Sequence, residues 1–457
     1  MTRTRLLAAA VVGALTLAGC GGGRDKETSS DTSATSEDAG GESQATGGID
    51  DATAELLHLD SCDTAADATG VTDTEIKIGS SFPQSGIYAA YGEIAKGVQA
   101  YFDSVNAAGG VKGRKINFVT KDDAYEPTKT KANVEALTQQ DKVFAIFNVV
   151  GTSNNQAFWD DTDEACVPNL FVASGAEQWG DVENHPWTIG SIPAYATEGA
   201  VLAQYLKDQG VTGKWGALIQ NDDSGKGLVE SLEKALGSGS LAKGDVQTYE
   251  PADPSLDTQV TNLASTNPDV VVVAATALKC GQALNAINKL GLKPKVLYIS
   301  QVCSSPRLMG LVEDQAAITG VLSTTYLMPP YDPQFASDPD QLAYMEGMAK
   351  YASSVDYKND GLYGYGWTMG AILVKTLDAA PELTRSSVMA TARNLDNVDA
   401  GVVLPGVSFA TAGAEDPFPI ESLTMMTYDG AAKHFTLLGD LIDFEGKTTT
   451  VATRIAG

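Results

Sequence analysis

The chain has 457 residues, 43% of them hydrophobic and 19% charged, with a formal net charge of −27 at pH 7. That is enough apolar material for a substantial core and enough length for two or three domains. The acidic balance argues against nucleic acid as a partner, because phosphate binding draws on clustered Lys and Arg.

In chain order, Arg3 and Arg5 precede an apolar run at 6–17, shorter than the about 20 residues that a bilayer-spanning helix needs. A short apolar run behind positive charges and ending in small residues is the pattern of a secretory signal peptide, here 1–19. Leu17, Ala18, Gly19 and Cys20 resemble the lipobox of bacterial lipoproteins, which implies cleavage before Cys20 and a lipid on its sulfur. The expectation is an exported chain anchored to the outer face of the cell membrane, the alternative being ordinary cleavage that leaves a free thiol. From Gly21 to about Asp50 the residues are almost all Gly, Ser, Thr, Asp, Glu and Ala. Such a composition buries too little to offset the cost of ordering, so 20–60 reads as a lipidated cysteine and a disordered tether.

Four cysteines follow, Cys62, Cys166, Cys280 and Cys303, in a chain that meets an oxidising compartment. Two disulfides are expected. Of the three connectivities that four cysteines allow, Cys62 with Cys166 and Cys280 with Cys303 is favoured. The second pair ends consecutive elements of one layer, and the first pins the leader to the body. Buried unpaired thiols are the alternative.

Past Thr72, short apolar runs alternate with helical patterns. A strand at 75–81 precedes a helix whose apolar positions Ile94, Val98, Tyr101 and Val105 recur at helical spacing, and Gly109 and Gly110 stop it. Strands at 115–120, 143–150 and 169–173 alternate with helices after Pro127 and from about Asn155. After 187–192 the pattern restarts: helices near 197–208, 226–236, 256–265 and 282–290 alternate with strands at 214–220, 246–250, 269–275 and 295–300. This alternation predicts parallel sheets flanked by helices, and two sheets of like build are favoured over one very long one. A strand-like 320–327, helices near 341–353, 362–379 and 387–394, and strands at 421–428 and 432–438 are expected to complete both sheets.

Catalytic and metal patterns are missing. His58, His185 and His434 stand far apart without metal or triad motifs, and no phosphate-binding loop occurs. The glycines of GLYGYGWTMG at 361–370 follow no strand and predict close helix packing rather than a dinucleotide site. The pairs Asp122 with Asp123 and Asp222 with Asp223 fall at strand ends, where solvation or helix capping is the expected role. The expectation is no enzyme, no metal and no cofactor.

In parallel α/β sheets the ligand sits beyond the carboxyl ends of the strands. There the chain places GTSNNQ, in which Gly151 lets backbone approach a ligand while Thr152, Ser153 and Asn154 offer hydroxyls, an amide and the N–H groups of a starting helix. SGAEQWG follows the next strand, and Ser174, Gly175 and Ala176 supply groups of the same kind. Two such loops on adjacent strands predict a shared carboxylate site, with simple helix capping as the competing reading.

TEIKIGSSFPQSG at 74–86, AYGEIAKGVQAYFDSVNAAGGVKGRKI at 90–116, KDDAYEP at 121–127 and IQNDDSGKG at 219–227 together resemble the branched-chain-amino-acid-type solute-binding proteins of ABC importers. The likeness covers nearly everything from Thr72 onward. It implies an α/β architecture of two Rossmann-like lobes with parallel sheets, the type I periplasmic-binding-protein or Venus-flytrap fold. Three crossovers are expected near 192–195, 325–328 and 404–409, making 72–193 plus 328–404 lobe 1 and 194–327 plus 405–457 lobe 2.

The resemblance also implies that a ligand carboxylate is held at 151–153 and 174–176, with Tyr88 and Tyr91 from the same lobe. Tyr195, Asn221, Asp222, Ser224, Thr276, Ser300 and Gln301 would close over the rest. Amino-acid binders of this family commonly carry a tyrosine where Ser224 stands and an acid near Ser300 or Gln301 that pairs with the ammonium. This chain has neither, and burying an ammonium without an anion is costly; Asp222 is the candidate substitute. The implied function is a lipid-anchored receptor that captures a small carboxylate-bearing solute, an amino acid, an aromatic or branched acid, or an amide, and delivers it to a membrane permease and its ATPase. The alternative is a ligand-sensing module for a signalling partner.

Overall fold

The computed structural model describes residues 49–63, 67–239 and 241–448. Cys20, the expected signal peptide and most of the expected tether lie outside the described residues.

Two mainly parallel sheets account for the alternation. The first contains β1 (Glu75–Phe82), β2 (Lys115–Asp122), β3 (Ala145–Phe147), β4 (Asn169–Val172) and β5 (Thr188–Gly190), in the order β2-β1-β3-β4-β5, all pairs parallel. The second contains β6 (Gly213–Gln220), β7 (Leu241–Tyr249), β8 (Val270–Ala274), β9 (Val296–Ile299), β10 (Leu322–Thr325), β11 (Ser422–Asp429) and β12 (His434–Asp443). Its order is β12-β11-β10-β9-β8-β6-β7, parallel from β7 to β10, with β11 and β12 added antiparallel at one edge. Helices cover both faces of the central strands, so β8 is buried throughout and reads as the unbroken apolar run VVVVA. In each sheet the first strand lies between its two successors, β1 between β2 and β3 and β6 between β7 and β8. The winding therefore reverses there, and loops at the carboxyl ends diverge to leave a crevice.

The late elements divide otherwise than the sequence suggests. Among the described residues no late strand joins the first sheet; β11 and β12 both extend the second. The first sheet receives helices instead, Pro339–Tyr351 and Gly361–Ala379, which pack on the helix Ile94–Ala108. A Cβ on Gly97 would lie 2.2 Å from the Tyr363 carbonyl oxygen, and one on Gly366 2.2 Å from that of Ile94. The two helices touch backbone to backbone, which is the use GLYGYGWTMG makes of its glycines.

The chain passes from the first sheet to the second between β5 and the helix Tyr195–Asp208, and returns after β10. Its last passage comes later than 404–409. Arg393, fully buried, donates to the carbonyls of His185, Pro186 and Thr188, Leu395 accepts from Thr411 N–H, and the Phe418 ring seats against Gly180. These contacts hold 393–419 beside the first sheet, so 405–419 does not belong with the second lobe. The chain rejoins the second sheet just before Ser422.

Residues 50–60 also depart from the tether expected of them. Asp50 caps a helix at Asp51–Leu56, Leu57 is fully buried, and the Trp187 indole N–H donates to the Leu57 carbonyl at 3.1 Å. Leu56, Leu57 and Leu59 supply the apolar surface that the Gly- and Ser-rich stretch before them lacks. Cys62 is bonded to Cys166, and Cys280 to Cys303, the favoured pairing.

Candidate functional site

Residues just beyond β3 and β4 (Val150, Gly151, Thr152, Ala173) and beyond β6, β8 and β9 (Ser224, Thr276, Gln301) line a single cavity. The crossovers complete it with Ile192, Tyr195 and residues 324–331, and its volume is about 1160 Å³ including its open mouth.

The polar end is built from the first lobe. Gly151 has φ 107°, and a Cβ there would stand 2.8 Å from Tyr125 Cε2 and 2.9 Å from Asn154 Oδ1. Only glycine serves both the turn and the close approach. It leads into the five-residue helix Thr152–Gln156, whose first N–H groups have no partners within the helix. Tyr125 is delivered by a rarer device, two successive non-glycine residues with positive φ, Ala124 at 51° and Tyr125 at 66°. Asp122 Oδ1 accepts the Ala124 N–H at 2.9 Å and Asp123 Oδ1 the Tyr125 N–H at 2.8 Å. Asp123 is fully buried and also accepts from the Ser81 and Thr130 hydroxyls; burial pushes its carboxyl up despite those donors. The paired aspartates are turn builders. Tyr125 stacks on Tyr88 with ring centroids 4.0 Å apart, and no described residue partners its hydroxyl.

The second lobe answers with a polar web. Asp222 caps the helix Asp223–Leu236, accepting the N–H groups of Ser224 and Gly225 and the Ser224 hydroxyl on Oδ1, while the Gln220 amide donates to Oδ2 at 2.5 Å. Gln220 Oε1 in turn accepts from the Thr276 hydroxyl at 2.7 Å and from Tyr249 at 3.2 Å. Glu198, fully buried in the helix Tyr195–Asp208, accepts from Tyr298 Oη (2.7 Å), Ser300 Oγ (3.0 Å), Gln301 N (2.8 Å) and Gln301 Nε2 (3.3 Å). Desolvation raises its carboxyl above the ordinary range while the donors oppose the rise. An acid therefore does stand beside Ser300 and Gln301, but it comes from another element, its oxygens are occupied, and it does not line the cavity.

Contacts cross the cleft. The Tyr91 hydroxyl accepts the Ala277 N–H at 2.8 Å and donates to the Val302 carbonyl at 3.0 Å. Gln156 Nε2 donates to Asp223 at 3.0 Å, and Ser305 and Arg307 of the second lobe bind Asp360 at 2.8 and 2.5 Å. Arg307 also reaches the Tyr363 hydroxyl at 3.1 Å. The lobes are shut on one another.

Of the residues named from sequence, Tyr91, Gly151, Thr152, Tyr195, Ser224, Thr276 and Gln301 line the cavity. The others stand elsewhere. Tyr88 lies behind Tyr125, and Ser174 is buried against Thr152, the two hydroxyls 2.7 Å apart. Gly175 gives its carbonyl to Tyr195 N–H, and Ala176 N–H donates to the Ser174 hydroxyl. Ser153 and Asp222 are not on the wall, and Asn221 turns outward to Glu250. Tyr125 and Glu198 were missed. Tyr125 lies inside KDDAYEP, which flags the loop, whereas nothing local marks Glu198.

Towards the crossovers Ile94, Val302, Leu327, Met328, Leu362 and Met426 make the wall mainly apolar, with Thr325, Tyr326 and Tyr331 among them. Among the described residues no Asp, Glu, Lys, Arg or His lines the cavity. The carboxylates that could hold a cation among the described residues, Asp416, Glu421 and Glu445, gather near the last crossover instead.

Comparison with known proteins agrees with this geometry. The family described as "Periplasmic binding protein" matches residues 75–433. A Pseudomonas aeruginosa "Amino acid binding protein" is 22% identical over 56% of this chain and 65% of its own. A Brucella melitensis "Leu/Ile/Val-binding protein homolog 3" is 27% identical over 49% of this chain and 60% of its own. The chain thus spans under two thirds of the length of these curated relatives. Among solved structures, a fatty acid ABC transporter substrate-binding protein from Thermomonospora curvata superposes with a TM-score of 0.71 at 21% identity, covering 84% of this chain and 97% of that one. A branched chain amino acid ABC transporter protein from Thermus thermophilus with bound valine gives 0.71 at 18% identity, covering 84% and 99%. At such identity these two likenesses establish the fold. With the family matched across both lobes, and the cleft lying where their strand tips meet, the chain belongs to the periplasmic binding proteins, a family that binds solutes and does not transform them.

Proposed function

We propose that this chain is an extracytoplasmic receptor that closes on a carboxylate-bearing solute and delivers it to a membrane permease with its ATPase, held at the membrane by lipid on Cys20. The observation that carries the reading is one cavity walled by the strand-tip loops of both lobes and bridged by Tyr91. A carboxylate needs no cation there, because N–H and O–H donors directed at an anion make short, strong hydrogen bonds. Tyr125 and Thr152 bring hydroxyls to that end, Thr152 donating to a ligand when it accepts from Ser174, and the first turn after Gly151 brings N–H groups; the Ser224 and Thr276 hydroxyls spend their protons on Asp222 and Gln220. The valine bound by the Thermus thermophilus protein and the fatty acid for which the Thermomonospora curvata transporter is named both carry a carboxylate, which supports the reading. Closure follows from differential affinity: a solute touching both walls favours the shut state over the open one.

A thermal-shift screen of the purified chain against amino acids, aromatic acids, aliphatic acids and amides tests this. A ligand at about 100 times its dissociation constant adds about 2.7 kcal/mol, enough to move a melting midpoint by several degrees. At least one carboxylate is expected to do so and to be recovered chemically unchanged. A screen in which no carboxylate shifts the midpoint, or in which the ligand is consumed, sinks the proposal. Mass analysis of the membrane-extracted protein, expected to show an acylated N-terminal Cys20, tests the anchor separately.

A further inference from the structure

We infer that the solute is a carboxylate without an amino group and with an elongated apolar body, lying along the cavity from the polar strand tips to the crossovers. This rests on the reading of the cleft as a carboxylate site and narrows its substrate class.

The first argument is charge. An ammonium carried into the cavity meets no carboxylate on the wall among the described residues. The two nearby acids are engaged by protein donors, Asp222 by its helix cap and Gln220, Glu198 by Tyr298, Ser300 and Gln301. Asp360, at the far end, is taken by Ser305 and Arg307. An unpaired buried charge is strongly unfavourable, so the site selects against zwitterions.

The second argument is shape. The space beyond the strand tips is a mainly apolar gallery, whose wall also includes Thr325, Tyr326 and Tyr331. Leu327 and Met328 come from the second crossover, Leu362 from the start of the helix Gly361–Ala379, Val402 from the strand-like segment whose carbonyl accepts Met328 N–H, and Met426 from β11. Methionines adapt to an aliphatic chain of variable shape. A short branched side chain at the strand tips would leave this gallery empty.

The experiment is calorimetric titration of the full chain with straight-chain carboxylates from butanoate to dodecanoate, together with leucine and 4-methylpentanoate. Affinity is expected to rise about fourfold per added methylene, through octanoate or beyond. 4-Methylpentanoate should bind more tightly than leucine. Leu327→Phe and Leu362→Phe, both at half-buried positions and each checked for an unchanged melt, should flatten the dependence on length, so that octanoate loses most of its advantage over butanoate. Short carboxylates binding with no dependence on length, or leucine binding more tightly than 4-methylpentanoate, overturns the inference and leaves the carboxylate site standing. Failure of every carboxylate, short and long, overturns the carboxylate site itself.

Discussion

Gly151 shows how much of the site was readable at the scale of one residue and how much was not. A glycine directly after a buried apolar run and before Thr152 and Ser153 marks a turn into a helix, and the structure gives it φ 107°. Its second duty, leaving room for the Tyr125 ring, comes from a partner distant in sequence whose position depends on two positive-φ residues held by Asp122 and Asp123. No local pattern announces that. Gly151→Ala therefore meets both a strained backbone and a Cβ 2.8 Å from the ring. A loss of about 1–3 kcal/mol is expected by denaturant titration. A variant as stable as the parent would mean that this turn relaxes freely. Glu198 was hidden for the same reason: its donors Tyr298, Ser300 and Gln301 lie about a hundred residues away, and only the fold brings them to it.

At the scale of elements, the contact between the helices Ile94–Ala108 and Gly361–Ala379 can be tested directly. Gly366 faces the Ile94 carbonyl so closely that an added methyl has no side chain to push aside, only backbone. Gly366→Ala is expected to cost about 1–3 kcal/mol through overpacking, although alanine is the better helix former. Gly361, at the start of the same helix with open space around it, is the control: Gly361→Ala should leave stability unchanged or slightly raised. Equal effects at both positions would refute the close contact. Elements of this kind were legible because their apolar periods are local. Their allocation to sheets was not, since β11 and β12 carry no mark of which sheet they join. Expected strand 143–150 likewise forms a regular ladder over Ala145–Phe147 and then an isolated bridge from Val150 to Ala173, because between them Asn148 turns to φ 53° and gives its amide to Phe171 and Tyr365.

For the whole molecule, stability and charge meet where the chain makes its last passage between lobes. Asp416, before the passage, Glu421, at the foot of β11, and Glu445, beyond β12, bring carboxylate oxygens within 4.8 Å of one another. Burial pushes Glu421 up to about 7, against the opposing N–H groups of Gly446 and Thr448. Glu445, exposed at the rim of the cluster, rises to about 7 through partial desolvation and the charges of Glu421, Asp416 and Asp443, and burial raises Asp416 as well. A carboxyl that holds its proton more tightly when folded contributes stability that is full below its ordinary range and is lost as pH rises through the folded value. Burial raises Asp123, Asp163 and Glu198 in the same direction. The carboxylates lowered by hydrogen bonding, such as Asp122 and Asp269, are already ionised above pH 5 and do not change in this window. The melting midpoint should therefore fall between about pH 5 and pH 8, where self-repulsion in a chain of net charge −27 also grows. Glu445→Gln, which removes one member of the cluster, should flatten that decline and raise the midpoint at pH 8 relative to the parent. A parent midpoint that climbs across the same interval, or a variant with the parent's slope, would show that the three carboxyls do not titrate as one cluster at the crossover.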